Sequence, residues 1–254
     1  MDEQLAEVFR LKFGAPNRLG PLPRVWRRLG YYTPDEFYET IVLGLVQGNT
    51  RWLDVGCGRD VFPNNRNLAR ILSSRCQLLF GVDPDANIEE NEFVHRHAKT
   101  TIDSFVCDER FDLVTLRMVA EHIPSPARAV AALARLTRPG GKVVVYTVNS
   151  WSPISLASWL TPLGIHHRIK RVLWKSEERD TFPVEYRMNS RAALRSAFSR
   201  AGFRERSFFY LDDCRSSYRF KLIHVWEMLL CGLCQTLGIP YPENCLLGIY
   251  ERLG

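Results

Sequence analysis

Between Arg51 and Asn149 the chain alternates short apolar runs with amphipathic ones. "RWLDV", "QLLFGVD", "FDLVTLRM" and "KVVVYTVN" read as strands. "NRNLARILSS" and "SPARAVAALARLT" read as helices, "EFVHRHA" as a further strand and "RPGG" as a turn. Strands apolar at nearly every position are covered on both faces, which is the condition of a parallel sheet. Right-handed crossovers then leave a doubly wound α/β fold with a mostly parallel sheet.

The flanks break this rhythm. In "YYTPDEFYETIVLGLVQ", Thr33 stands as an N-cap, Pro34 at the first helical position and Glu36 where a capping box needs it. Phe37, Ile41, Leu43, Leu45 and Val46 supply the expected buried face. After Asn149 come tryptophans, paired histidines and no strand pattern, as in an inserted helical lid. "SRAALRSAFSRAGF" then reads as a helix stopped at Gly202, and "RERSFFYLD" and "CLLGIYERL" as strands. The expected organisation is a helical cap over 1–47, a cofactor-binding core over 48–149, a lid over 150–187 and completion of the sheet over 188–254. Within the last part, 218–238 forms a long apolar helix that suits burial, a dimer face or a bilayer surface.

Composition narrows the class. The chain has 254 residues, 46% hydrophobic and 24% charged, ordinary for a globular protein. No uncharged apolar run reaches the length of a membrane span, and "MDEQLAEVFRLKFG" lacks the pattern of a signal peptide, so a cytoplasmic location is expected. Seven irregularly spaced cysteines do not form a disulfide framework, and Cys231 and Cys234 lie in an apolar run without a second ligand pair. The net charge of +6 suits anionic lipid, phosphorylated substrates, nucleic acid or simple solvation.

The turn "LDVGCGRD" carries the chemistry. Gly56 and Gly58 permit a tight strand-to-helix turn and close approach of a ligand. A dinucleotide fingerprint would place a third glycine where Val61 stands. Asp54 and Asp60 make the turn acidic, which disfavours a phosphate and favours a cationic or zwitterionic ligand such as S-adenosylmethionine. Asp83, closing the next strand, suits two ribose hydroxyls.

"LDVGCGRD", "GVDPD", "FDLVTLRMVAEHI" and "LTRPGGKVVVYTVN" together resemble the ordered motifs of class I S-adenosylmethionine-dependent methyltransferases. The similarity is greatest to the small-molecule branch that includes ubiquinone-biosynthesis O-methyltransferases. The resemblance implies a Rossmann-like sheet of seven strands, the last antiparallel. It implies that Asp54 orients the glycine loop and reaches the ammonium group through water. Gly56, Cys57 and Gly58 would lie under the methionine portion and Asp83 would hold the ribose. Thr101, Ile102 and Asp103 would edge the adenine, and Met118 would line the methionine end. Two departures stand out: Asp60 replaces the third loop glycine, and Met118 replaces the first acid of an E-x-x-E-H magnesium cluster, leaving Glu121 and His122. No metal is therefore expected.

Methyl transfer to a hydroxyl needs alignment, exclusion of water and a base. His122, after the fourth strand, is the first candidate for that base, and His166 and His167 in the lid are the others. Each has a plain structural alternative: a helix start for His122 and a basic turn for the pair. Trp151, Trp159, Trp174, Phe182, Tyr186 and Trp226 could line an apolar acceptor pocket or fill a second core. The expected acceptor is a small molecule, free or lipid-linked, methylated at a hydroxyl. Nucleic acid is not an expected partner: no recognition module is appended, and "LRMV" replaces the N-P-P-Y tetrapeptide of base-modifying enzymes. The alternatives are an RNA or protein methyltransferase, suggested by the basic charge, and a non-catalytic binding protein with the same fold.

Overall fold

A computed structural model describes residues 1–152, 184–214, 221–239 and 243–254. Three helices lead the chain: α1 (Asp2–Phe13), α2 (Pro21–Arg28) and α3 (Pro34–Leu45). The alternating part follows as β1 (Arg51–Val55), α4 (Arg66–Arg75), β2 (Leu78–Asp83), β3 (Arg96–Lys99), β4 (Phe111–Arg117), α5 (Pro126–Leu136) and β5 (Thr137–Val148). It closes with α6 (Arg191–Arg200), β6 (Phe203–Leu211), α7 (Lys221–Thr236) and β7 (Cys245–Arg252).

The seven strands form one sheet in the order β3-β2-β1-β4-β5-β7-β6. β7 runs antiparallel to both its neighbours, whereas β1, β2, β3, β4 and β5 pair in parallel. One face of the sheet packs Leu53, Phe80 and Val114 against Ala129 and Leu133 of α5 and Leu194 and Phe198 of α6. The other packs Trp52, Leu113 and Tyr146 against Val8 of α1, Tyr38 and Val42 of α3, and Leu68 and Leu72 of α4. Burial on both faces is why the strands lack polar alternation. A smaller third core holds Phe9, Trp26, Cys214, Met228 and Cys231 between the leading helices and α7.

Some local expectations change. "RPGG" is not a free turn: β5 already pairs with β4 at Phe111↔Thr137 and resumes at Leu113↔Lys142. Residues 138–141 bulge between those pairs, because a single residue of β4 faces four of β5. The strand expected in "EFVHRHA" is displaced to Arg96–Lys99 at the sheet edge. In α3, Glu36 accepts from the Thr33 backbone at 2.6 Å, as a capping box requires. Of the expected face, Val46 is fully buried and Phe37, Ile41, Leu43 and Leu45 pack half-buried against the same core, while Asp35, Glu36 and Glu39 are buried as well, beside Tyr38 and Val42. Polar partners explain the buried acids. Lys12 binds Glu36 at 2.5 Å, Arg117 approaches Asp35 to 3.3 Å, and Asn65 donates to Glu39 at 2.8 Å. Among its described side chains, α7 buries His224, Met228 and Cys231 on one side and leaves the other exposed.

Candidate functional site

The site forms where β1, β2 and β4 end. β1 leaves the sheet through Gly56 (φ 71°) and Gly58 (φ 46°), both left-handed. A Cβ at Gly56 would stand 2.2 Å from Val119 Cγ2, so the turn after β1 and the turn after β4 touch through this missing side chain. A Cβ at Gly58 would meet no atom within 4 Å. One glycine is thus required by the protein's own packing, and the other borders open space.

Two aspartates flank the turn. Asp83 is buried; its Oδ2 accepts from the Gly58 backbone at 2.9 Å and its Oδ1 from that of Asp85 at 2.8 Å. Each oxygen keeps a further lone pair for a hydroxyl donor. Asp54, also buried, accepts from Thr115 Oγ1 at 2.6 Å. Burial pushes its carboxyl up to about 7; the Thr115 hydrogen bond and the Arg117 charge pull it down, and Asp83 adds to the rise. Asn91, which the sequence did not single out, donates to the carbonyl of Gly58 at 2.9 Å and holds the loop from below.

Cys57 lies in this turn but its thiol turns inward. A Cβ on Gly81 would stand 2.7 Å from Cys57 Sγ, so the sulfur occupies the space that glycine leaves on β2. Burial pushes the thiol's pKa up, and Asp54 and Asp83 add to it. Only the Cys57 backbone is available to a ligand. Asp60 does not present a bare charge: both its oxygens accept from Arg66 Nη1, at 2.8 and 3.1 Å. α4 begins only at Arg66, and the side chain of Asn65 caps it by accepting from Leu68 N at 3.2 Å. That cap takes one of the N–H groups of the first turn of α4.

The remaining expected residues lie around the same strand ends. Ile102 is buried against the α5 side of the core. Asp103 accepts from Thr101 Oγ1 at 2.7 Å and pairs with Arg128 at 3.2 Å. Met118 has φ 53° and donates its N–H to Tyr146 O at 2.8 Å, which turns the chain sharply off β4. His122 ends the 3-10 turn Ala120–His122 and is half-buried. Glu121 is buried and accepts from Thr147 Oγ1 at 2.7 Å, and Thr147 in turn accepts from Asn189 Nδ2 at 2.8 Å. Burial pushes the Glu121 carboxyl up. Its carbonyl accepts from Glu185 N at 2.7 Å and Tyr186 N at 3.2 Å, so the segment after residue 183 rejoins the fold at the β4 turn.

His166, His167, Trp159, Trp174 and Phe182 lie outside the described residues, as does most of the expected lid. Trp151 and Trp226 are each 72% exposed, and Trp226 stands on the outer face of α7, away from the small third core. Outside this site, His95 makes structural bonds, accepting from Leu79 N at 3.0 Å and lying 3.2 Å from Ser73 Oγ.

The arrangement suits a zwitterionic nucleoside ligand without phosphate: an open cradle at Gly58 and a buried acid at each side. Comparison with known proteins agrees. A family profile described as "Methyltransferase domain" matches residues 11–207. The ubiquinone biosynthesis O-methyltransferase of Rhodopseudomonas palustris (strain BisB18) is 31% identical over 135 residues, 46% of this chain and 50% of that protein. The protein of the same name from Alkalilimnicola ehrlichii (strain ATCC BAA-1101 / DSM 17681 / MLHE-1) is 35% identical over 122 residues, 44% of this chain and 47% of that one. The matches thus span about half the length of these curated relatives. Among solved structures, an S-adenosylmethionine-dependent methyltransferase from Mesorhizobium loti shares the fold with a TM-score of 0.52 and 16% identity, over 86% of this chain and 97% of that one.

Proposed function

The chain belongs to the methyltransferase-domain family, and from that premise we propose that it transfers a methyl group from S-adenosylmethionine to a hydroxyl of a small-molecule or lipid-linked acceptor. The open cradle at Gly58, set between the buried carboxylates of Asp54 and Asp83, is the observation that carries this reading. Bound there, S-adenosylmethionine supplies an electrophilic methyl group on a sulfonium.

The protein's own residues do the rest. Asp83 holds the ribose hydroxyls with the lone pairs left free by Gly58 and Asp85. Asp54 faces the ammonium end through water, and Gly56, Gly58 and the Cys57 backbone floor the methionine portion. Ile102 and Asp103 border the adenine, and Met118 borders the methionine end. His122, on the turn after β4, takes the acceptor proton, a role that His166 or His167 would share from the lid. The acceptor side of the site is assigned in this proposal to 150–187, of which 153–183 lie outside the described residues.

Oxygen as the acceptor atom is supported by the names of the relatives. Seven cysteines with no disulfide among them suit a reducing, cytoplasmic compartment. The test is calorimetric titration with S-adenosylmethionine, followed by methyl transfer from labelled donor to a panel of phenolic and lipid-linked hydroxyl acceptors. Micromolar donor binding and transfer to oxygen are expected; absence of donor binding in folded protein would overturn the reading.

A further inference from the structure

S-adenosylmethionine carries a carboxylate beside its ammonium, and Asp54 answers only the ammonium. A carboxylate in a site walled by acids calls for a cation. Arg117 ends β4, one residue before Met118. Asp54 faces Thr115 across the pairing of β1 and β4, and their side chains meet on one face of the sheet. Arg117 follows Thr115 by two residues. It therefore stands on that same face, about 7 Å further along the strand toward the end where the site forms.

Its guanidinium is held but not used up. The Arg117 side chain is only 22% exposed, and Asp35 of α3, still more buried, approaches its Nη2 to 3.3 Å. A guanidinium has five N–H donors in a planar fork. Among the described residues, Asp35 is the hydrogen-bond acceptor it finds, through that one long contact. A largely desolvated cation with donors to spare gains when an anion reaches it. Other cations around the loop are engaged elsewhere: Arg59 with Glu90 at 2.9 Å, Arg66 with Asp60 at 2.8 Å and Lys12 with Glu36 at 2.5 Å. The Arg117 charge also pulls the Asp54 carboxyl down against burial, so the two groups sense each other. An acid and a guanidinium on one face, one pleat apart, complement the ammonium and carboxylate of an α-amino acid.

We propose that Arg117 binds the carboxylate of the donor's methionine portion, and that Asp35 is the positioning residue that aims its fork. The inference rests on the methyl-transfer reading and adds a specificity to it: the site selects donors with the intact amino-acid head. Through Asp35, the helical cap then takes part in donor binding.

Calorimetric titration of the full chain with S-adenosylmethionine and with its decarboxylated form tests this. The decarboxylated form keeps the ammonium and the sulfonium, so the comparison isolates the carboxylate. Wild type should prefer the intact donor by about ten-fold or more, as charge-assisted hydrogen bonds imply. Arg117→Gln should abolish that preference, losing about ten-fold or more in affinity for the intact donor and little for the decarboxylated one. Arg117→Lys keeps the charge without the fork and should retain part of the preference. Asp35→Asn should reduce it without abolishing it. Circular dichroism checks each fold. If Arg117→Gln does not fold, Asp35→Asn/Arg117→Gln removes both members of the ion pair and carries the same comparison. An undiminished preference in folded Arg117→Gln would overturn the proposal, as would a wild type indifferent to the carboxylate. Equal loss of both ligands in Arg117→Gln would show a merely structural arginine, with the same consequence. A wild type that binds neither ligand would overturn the donor assignment, and the proposal with it.

Discussion

The hydroxyl of Thr115 donates to Asp54 Oδ1 at 2.6 Å across the parallel pairing of β1 and β4. The same hydroxyl accepts from Trp52 Nε1 at 2.7 Å. One buried side chain thus satisfies an indole and steadies the carboxylate at the base of the glycine turn. Thr115→Val would leave both groups without this partner. The expected loss is about 2–4 kcal/mol, from two buried polar groups at about 1–2 kcal/mol each. Chemical denaturation measures it, and Thr115→Ser should recover most of it. A Val variant as stable as wild type would remove the role assigned to this hydroxyl.

The two glycines are expected to fail differently. Gly56→Ala collides with Val119 and should lower the melting temperature. Gly58→Val meets no protein atom at its Cβ and costs only the strain of a left-handed backbone, about 1–2 kcal/mol. It should keep the fold and lose S-adenosylmethionine affinity by about ten-fold or more, because the new side chain takes the ligand's space. Undiminished affinity in folded Gly58→Val would place the ligand elsewhere.

Asp54 makes stability depend on pH in a definite direction. Its carboxyl rises from 3.8 to about 7 through burial. Between those values the folded chain holds a proton that the unfolded chain has released. This contribution to stability is complete below the lower value and is lost as pH climbs through the upper one. Wild type should therefore lose more melting temperature than Asp54→Asn between about pH 5 and about pH 8, by several °C at about 2–4 °C per kcal/mol. Glu39, raised to about 7 by burial, adds to the slope in both proteins. A cationic donor favours ionised Asp54, so donor binding should tighten over the same range and release a proton, read by calorimetry in buffers of different ionisation enthalpy. Equal slopes for wild type and Asp54→Asn would refute the assignment.

His122→Ala should lower turnover by about 10²-fold with donor affinity unchanged. The same readouts apply to His166→Ala and His167→Ala. Full turnover in all three would leave alignment alone, or Glu121, as the source of catalysis.

Met118 stands where the first acid of a magnesium cluster would be. Turnover should survive exhaustive chelation and gain nothing from added magnesium. A strict and restorable magnesium requirement would show that Glu121 and His122 recruit further ligands.

Part of the site was not legible because no period in 150–187 says which of its aromatics and histidines would meet an acceptor. Asn91 was missed for a related reason. It reaches the Gly58 carbonyl from a loop after β2, and a lone asparagine carries no signal in the chain. The burial of Asp35 and Glu36 on α3 was not legible because it follows ion pairs with Arg117 and Lys12, which are distant in sequence.

What the sequence determined by itself is local or periodic. The unbroken apolar strands required a covered parallel sheet, and the turn holding Gly56 and Gly58 required left-handed backbone after β1. What only the tertiary structure decided is which of two equivalent surfaces found a partner. Gly56 is pressed on Val119 while Gly58 opens outward, though both are glycines of one turn. One side of α7 is locked by Trp26 and Cys214, while the equally apolar other side faces outward. Hydrophobicity says that a surface gains by leaving water. Which surface does so depends on contacts between residues far apart in the chain, such as Trp26 and His224, and those exist only once the chain has folded.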